Sequence, residues 1–155
     1  MPEVQVPGAD PANTFDYVFL GDVDPNFTPV PDGAYNLRVV KSGLAEITYR
    51  RGKKAGQVGQ AIKMTFAVTD DPDYSGRRIF ETLFPGDFAL RSLRRLMDAT
   101  GVQQQPDEAL AEWLPRLAVE AATFRVPVSS KDGTDASGNP TKNNVIAWNS
   151  VSPAI

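Results

Sequence analysis

Apolar and polar residues alternate along three stretches of this chain, and then the period changes. From Ala34 to Ile47, Tyr35, Leu37 and Val39 point one way and Asn36, Arg38 and Val40 the other, until Ser42-Gly43 interrupts. That pattern predicts one long strand with a bulge or bend at the interruption. Ile62–Thr69 predicts the cleanest strand, with Ile62, Met64, Phe66 and Val68 inward and Lys63, Thr65, Ala67 and Thr69 outward. A turn at 70–76 leads to a third strand over Arg77–Phe84. Its facing is open: Arg78, Phe80, Thr82 and Phe84 share one side, while Ile79 and Leu83 make the other a credible core side. Pro85-Gly86-Asp87 stops the strand and offers Asp87 as a helix N-cap. The period then turns helical, with Leu90, Leu93, Leu96 and Met97 on one side, Arg91, Arg94 and Arg95 on the other, and Gly101 at the end. A second helix is predicted from Pro106 to Leu114, burying Leu110, Trp113 and Leu114. Val119–Val128 and Asn144–Val151 read as the last two strands.

Three strands, a helical segment and two strands is the order of the OB-fold, a five-stranded Greek-key barrel with a helix between strands three and four. The expected fold class is therefore mainly β: an OB-fold barrel over residues 33–155, with a helical insertion and an extended N-terminal arm over 1–32. The binding face of such a barrel lies on strands two and three, framed by the loops joining strands one to two and four to five. Here those connections, Thr48–Gln60 and Ser129–Asn143, are the longest and most polar. The first reads TYRRGKKAGQVGQ, placing Arg50, Arg51, Lys53 and Lys54 among three glycines. Four cations cannot be buried cheaply, so this segment is predicted to reach out from the sheet.

The charge distribution adds to this. The net charge is −3, but residues 1–32 hold six acidic side chains and no Lys or Arg, whereas 33–155 hold 13 acidic and 16 basic groups. Six of the 13 prolines also fall in 1–32, which argues against a helix or a central strand there. The arm reads as extended and acidic. Its one apolar patch, Phe15, Tyr17, Phe19 and Leu20, suits a strand that adds to a sheet edge in its own domain or a neighbouring copy.

Cysteine and histidine are both absent, which excludes disulfides, thiolate metal sites, a cysteine nucleophile and every histidine-containing triad. A non-enzymatic protein without cofactors is expected. Asp70, Asp71 and Asp73 lack EF-hand spacing and read as turn chemistry, not as a metal site. No apolar run reaches membrane-spanning length and no secretory start is evident, so the expected place is the cytoplasm, with no membrane partner.

Binding a single nucleic-acid strand needs cations that follow phosphates and rings on which bases stack. Cationic candidates are Arg50, Arg51, Lys53 and Lys54, then Lys63, Arg77 and Arg78 on or beside strands two and three, and Lys131 and Lys142 in the second loop. Each taken singly has the alternative of an ordinary solvated side chain. Ring candidates are Tyr49, Tyr74, Phe80 and Trp148; for Trp148 core and binding roles weigh equally. Tyr35, Phe66 and Phe124 alternate with apolar residues and are expected in the core.

The runs PDGAYNLRVVKS, IKMTFAV, YSGRRIFETLF, LRRLMDATGV and NNVIAW, in that order, resemble a family of bacteriophage proteins. These are generally regarded as single-stranded-DNA-binding proteins or their relatives, long catalogued as a domain of unknown function. The resemblance spans roughly residues 32–151, and its most specific element is the Gly76–Phe80 run GRRIF. It implies sequence-independent binding of single-stranded DNA in phage replication or recombination, inside the host cytoplasm, with phage replication or recombination proteins as partners and homo-oligomerisation as a further expectation. The rival expectation is a phage structural or assembly protein whose loops make subunit contacts. A weaker one is an OB-type module for protein or oligosaccharide.

Overall fold

A computed structural model describes residues 29–50, 52–134 and 137–155. Arg51 and the arm's Phe15, Tyr17, Phe19 and Leu20 lie outside the described residues. Among the described residues the architecture is mainly β, with six strands in one antiparallel sheet and two helices. Strand β1 (Gly33–Thr48) is followed by β2 (Val58–Val68) and β3 (Arg78–Leu83), then helices α1 (Asp87–Thr100) and α2 (Leu110–Val119). Strands β4 (Thr123–Thr134), β5 (Pro140–Ile146) and the short β6 (Ser152–Pro153) complete it, with a 3-10 turn at Trp148–Ser150 before β6. The order across the sheet is β3-β2-β1-β4-β5, and β6 pairs with β4. The outermost strands also approach each other, and the Ile146 N–H donates to Glu81 Oε1 at 2.9 Å.

β1 changes partner along its length. It pairs with β4 over Gly33–Arg38 and with β2 over Leu37–Thr48. The register slips between Val39 and Lys41, leaving Val40 unpaired against β2. The irregularity expected at Ser42-Gly43 therefore falls two residues earlier. The reason is the handover itself: a bulge bends and twists the strand where it leaves one neighbour to continue with another. Since side chains alternate strictly, the extra residue also inverts the phase of everything after it. Leu37 and Val39 are buried opposite Val68 and Phe66, but Lys41 meets Thr65 and stands outside.

Both polar connections are shorter than the sequence reading, because their flanks are paired. β1 and β2 stay in register as far as Thr48–Val58, and a tight turn completes the ribbon: Tyr49 N–H donates to Gln57 O at 2.9 Å and Gly56 N–H to Tyr49 O at 2.7 Å. Ser129–Asn143 likewise pairs as a hairpin from Ser129–Val145 to Thr134–Pro140. A two-stranded ribbon with solvent on both faces needs no apolar alternation, so its sequence looks like a loop.

The helices also correct the expectation. Gly86 occupies the N-cap position of α1 without a side-chain cap, and Asp87 is the first helical residue, where its charge still favours the dipole. Gly101, at φ 75°, ends α1 and donates to Met97 O at 3.0 Å. The buried side is Ala89, Ser92, Leu93 and Leu96; Leu90 is exposed. α2 begins at Leu110 instead of Pro106 and continues through Pro115 to Val119. Pro115 leaves the Ala111 carbonyl without its helical donor, and Ala111 faces solvent. Val119, expected to open a strand, ends the helix.

The core is one cluster under the sheet. Phe66 packs edge-on against Phe124 at 5.1 Å and against Trp148 at 6.2 Å. Leu37, Val39, Val126, Leu96, Leu114 and Leu117 surround them, and Trp113 anchors α2 by donating from Nε1 to Val102 O at 2.9 Å. Tyr35, Phe66 and Phe124 are buried as expected. Among the described residues no helix is long and apolar enough to cross a membrane.

Candidate nucleic-acid interface

The outer face of β1, β2 and β3 follows from their registers, because directly opposed residues project to the same side. Lys41 meets Thr65, which meets Phe80; Gly43 meets Lys63, which meets Thr82. Between these rows run Ser42, Met64 and Glu81, which face the other way. The open question about β3 is thereby resolved. Ile79 and Leu83 are buried, and Phe80 is 63% exposed. Phe84, just beyond the strand, is 56% exposed on the same alternation.

Two adjoining troughs cover this face. One of about 460 Å³ is lined by Lys41, Gly43, Ala45, Lys63, Phe80 and Thr82 among others. The second, about 670 Å³, is lined by Glu46, Ile47, Tyr49, Arg50, Lys63 and Phe84 among others. Lys63 and Thr82 belong to both, so the troughs form one surface. Gly43 leaves its floor bare: a Cβ there would meet nothing within 4 Å. Lys41, Lys63 and Arg50 supply positive charge, and Glu46 lines the larger trough with them. Burial pushes the Glu81 carboxyl above its ordinary range, while the Ile146 amide and the Trp148 indole pull it the other way.

This surface gathers Tyr49, Arg50, Lys63 and Phe80 from the sequence candidates. Lys53 and Lys54 stand exposed in the adjoining turn, with Lys54 Nζ over the Tyr49 ring, 5.6 Å from its centroid. Arg51 lies outside the described residues. Arg77 and Arg78 are half-buried where β3 begins. Tyr74 is half-buried in the 70–76 turn, packed against the core and not in the troughs. Lys131 and Lys142 are exposed on the β4–β5 hairpin, where Lys131 opposes Asn143 and Lys142 opposes Asp132. The two lysines therefore project to opposite faces of that hairpin. Trp148 must be withdrawn as a stacking ring. It is only 5% exposed, because the chain coils into the 3-10 turn instead of continuing β5 and folds the indole onto Phe66.

Lys41, Phe84 and Gly43 were missed. Unbroken alternation would have sent Lys41 and Gly43 inward with Val39, and the bulge at Val40 reverses them. The available signal was Lys41 itself, a cation on the phase of three core residues. The Asp70 and Asp71 carboxylates are occupied structurally: Asp70 accepts from Asn36 N–H and Arg125 Nη1, each at 3.0 Å, and Asp71 accepts from Asp73 N–H at 2.9 Å. Among the described residues no three carboxylates gather around a metal position.

No protein-family model matches the chain, and no curated protein is significantly similar to it.

Proposed function

We propose that this chain is a non-enzymatic, OB-type protein that binds single-stranded DNA with little sequence preference. The observation that carries the reading is the outer face of β1–β3. Exposed Phe80 and Phe84, with Tyr49, alternate there with Lys41, Lys63 and Arg50 over a floor bared by Gly43. Rings of this kind offer faces to unpaired bases, and the cations follow the phosphates. The OB-type reading is supported by the sheet order β3-β2-β1-β4-β5, the approach of β3 to β5, and the helices between β3 and β4. The β1–β2 and β4–β5 hairpins take the framing positions. The resemblance to phage single-strand binders supports a place in phage replication or recombination, in the host cytoplasm beside the proteins of those processes.

A second reading, a subunit contact in an assembly protein, is favoured by a different surface. Phe88 and Leu90 are exposed near an apolar groove of about 290 Å³ lined by Leu44, Ile62, Leu83, Pro85, Ala89 and Leu110.

The deciding experiment compares single-stranded and duplex oligonucleotides of equal length by fluorescence anisotropy over a salt series. The expected result is a marked preference for the single strand and an affinity falling with salt, with a slope of about −0.7 per phosphate contacted. Equal affinity for duplex would remove stacking from the account. No binding at low salt, together with concentration-dependent self-association, would favour the assembly reading.

A further inference from the structure

We propose that Gly59 is a positioning residue, seating the edge of the Tyr49 ring against the β1–β2 ribbon so that its face serves as a base-stacking platform that Lys54 covers until an unpaired base replaces it. This rests on the nucleic-acid reading and adds a defined subsite and an order of events.

Tyr49 lies one residue beyond β1, and its backbone is tied at both polar atoms, to Gln57 O and to Gly56 N–H. Gly59 sits opposite Ile47, diagonal to Tyr49 across the ribbon, a separation that an aromatic side chain can span. A Cβ at Gly59 would stand 2.7 Å from Tyr49 Cε2, 3.2 Å from Oη and 3.3 Å from Cζ. The ring thus occupies the space that a side chain at 59 would need. Among the described glycines this is the only one whose missing Cβ would come within 3.0 Å of another atom. The backbone does not demand glycine here. Gly52 and Gly56 in the adjoining turn have φ of 79° and 84°, whereas Gly59 is absent from the positive-φ glycines and lies in a regular strand. What excludes a side chain at 59 is the ring.

Lys54 Nζ stands over that ring at 5.6 Å, within the reach of a cation–π contact. Such a contact at an exposed site is weak, and base stacking on the same ring is the stronger interaction. When a base takes the ring, the displaced ammonium becomes available to the neighbouring phosphate. Tyr49 and Lys54 then serve one nucleotide, the ring on the base and the cation on the backbone.

The test is a double-mutant cycle on the full chain, using a thymidine oligonucleotide and anisotropy at several salt concentrations. Alanine at 59 fits the strand and displaces only the far end of a flexible side chain, so Gly59→Ala should leave the melting temperature nearly unchanged. Gly59→Ala and Tyr49→Ala should each weaken binding roughly tenfold without altering the salt slope, within the range for one stacked base. The double variant should bind no worse than Tyr49→Ala alone. Lys54→Ala should reduce the salt slope by about 0.7. Wild-type affinity in Gly59→Ala, or additive losses in the double variant, would overturn the positioning role, and an unchanged slope in Lys54→Ala would remove the Lys54 step. One readout needs no DNA: the Gly59 Hα protons should show NOE contacts to the Tyr49 ring-edge protons in the NMR spectrum, and these should vanish in Tyr49→Ala. A wild-type chain that binds single strands without those contacts overturns the role of Gly59 alone. One that shows them but binds no single strand overturns the stacking role together with the reading beneath it.

Discussion

Glu81 stands where the outer strands of the sheet meet. Its neighbours Phe80 and Thr82 look outward, so its own side chain turns inward and accepts the Ile146 N–H at 2.9 Å. Burial raises its pKa above the ordinary 4.5, with the Ile146 amide and then the Trp148 indole offsetting part of the rise. A carboxyl whose folded pKa is raised holds its proton more tightly in the native state than in the unfolded chain. Its contribution to stability is therefore fully present below about pH 4.5 and is lost as pH rises through the folded value. Glu81→Gln keeps an oxygen for Ile146 and carries no charge to desolvate. Denaturant titrations from pH 4 to pH 8 should show the variant losing less stability over that interval than the wild type. Identical pH profiles would show that the Glu81 charge costs nothing in the fold.

At the scale of elements, registers decide which charges can act together. Lys131 and Lys142 look equivalent in the polar SSKDGTDASGNPTKN segment, yet the pairing of Lys142 with Asp132 and of Lys131 with Asn143 sends them to opposite faces. A single phosphate track cannot pass both. Alanine at each position in turn should lower the salt slope of DNA binding by up to about 0.7 at one of them only. Equal reductions at both would mean that the strand wraps around the hairpin. The same geometry explains what was legible beforehand. Strands β1, β2 and β3, the burial of Trp113 and Phe124 and the Gly101 stop follow from local period and local backbone rules. The β1–β2 and β4–β5 ribbons were hidden because residues exposed on both faces obey no burial period. Lys41 and Gly43 were hidden because a single unpaired residue, Val40, inverts the strand's phase, and that depends on where β1 parts from β4. Trp148 could not be placed because its burial depends on the 3-10 turn that interrupts the pairing with β4 after Ile146, which alternation does not encode.

At the scale of the whole molecule, the structure marks where the acidic N-terminal segment can be separated from the domain that follows it. Residues 1–28 carry five acidic side chains and no cation. From Val30 onward the chain is built into the domain. Val30 is buried, its N–H donates to Asn144 Oδ1 at 2.9 Å, and its carbonyl accepts from Asn144 Nδ2 at 3.0 Å. Asp32 in turn accepts the Ser130 N–H at 2.9 Å. A deletion reaching Asp32 would strip a buried valine, worth roughly 1.5–3 kcal/mol, and leave the Asn144 amide unpartnered. It should lower the melting temperature, so any change in binding would be confounded with unfolding. Deletion of residues 1–28 alone keeps these contacts and removes five carboxylates from a chain whose β1–β3 face carries Lys41, Lys63 and Arg50. If the acidic segment competes with phosphate for that surface, this shorter deletion should tighten single-strand binding at low salt. The gain should shrink as the Debye length falls from about 30 Å at 0.01 M to about 8 Å at 0.15 M. Parallel titrations of the full chain and the deletion at both salt concentrations make the comparison. A deletion that melts like the full chain and binds with the same affinity at 0.01 M would show that the acidic segment does not screen the face.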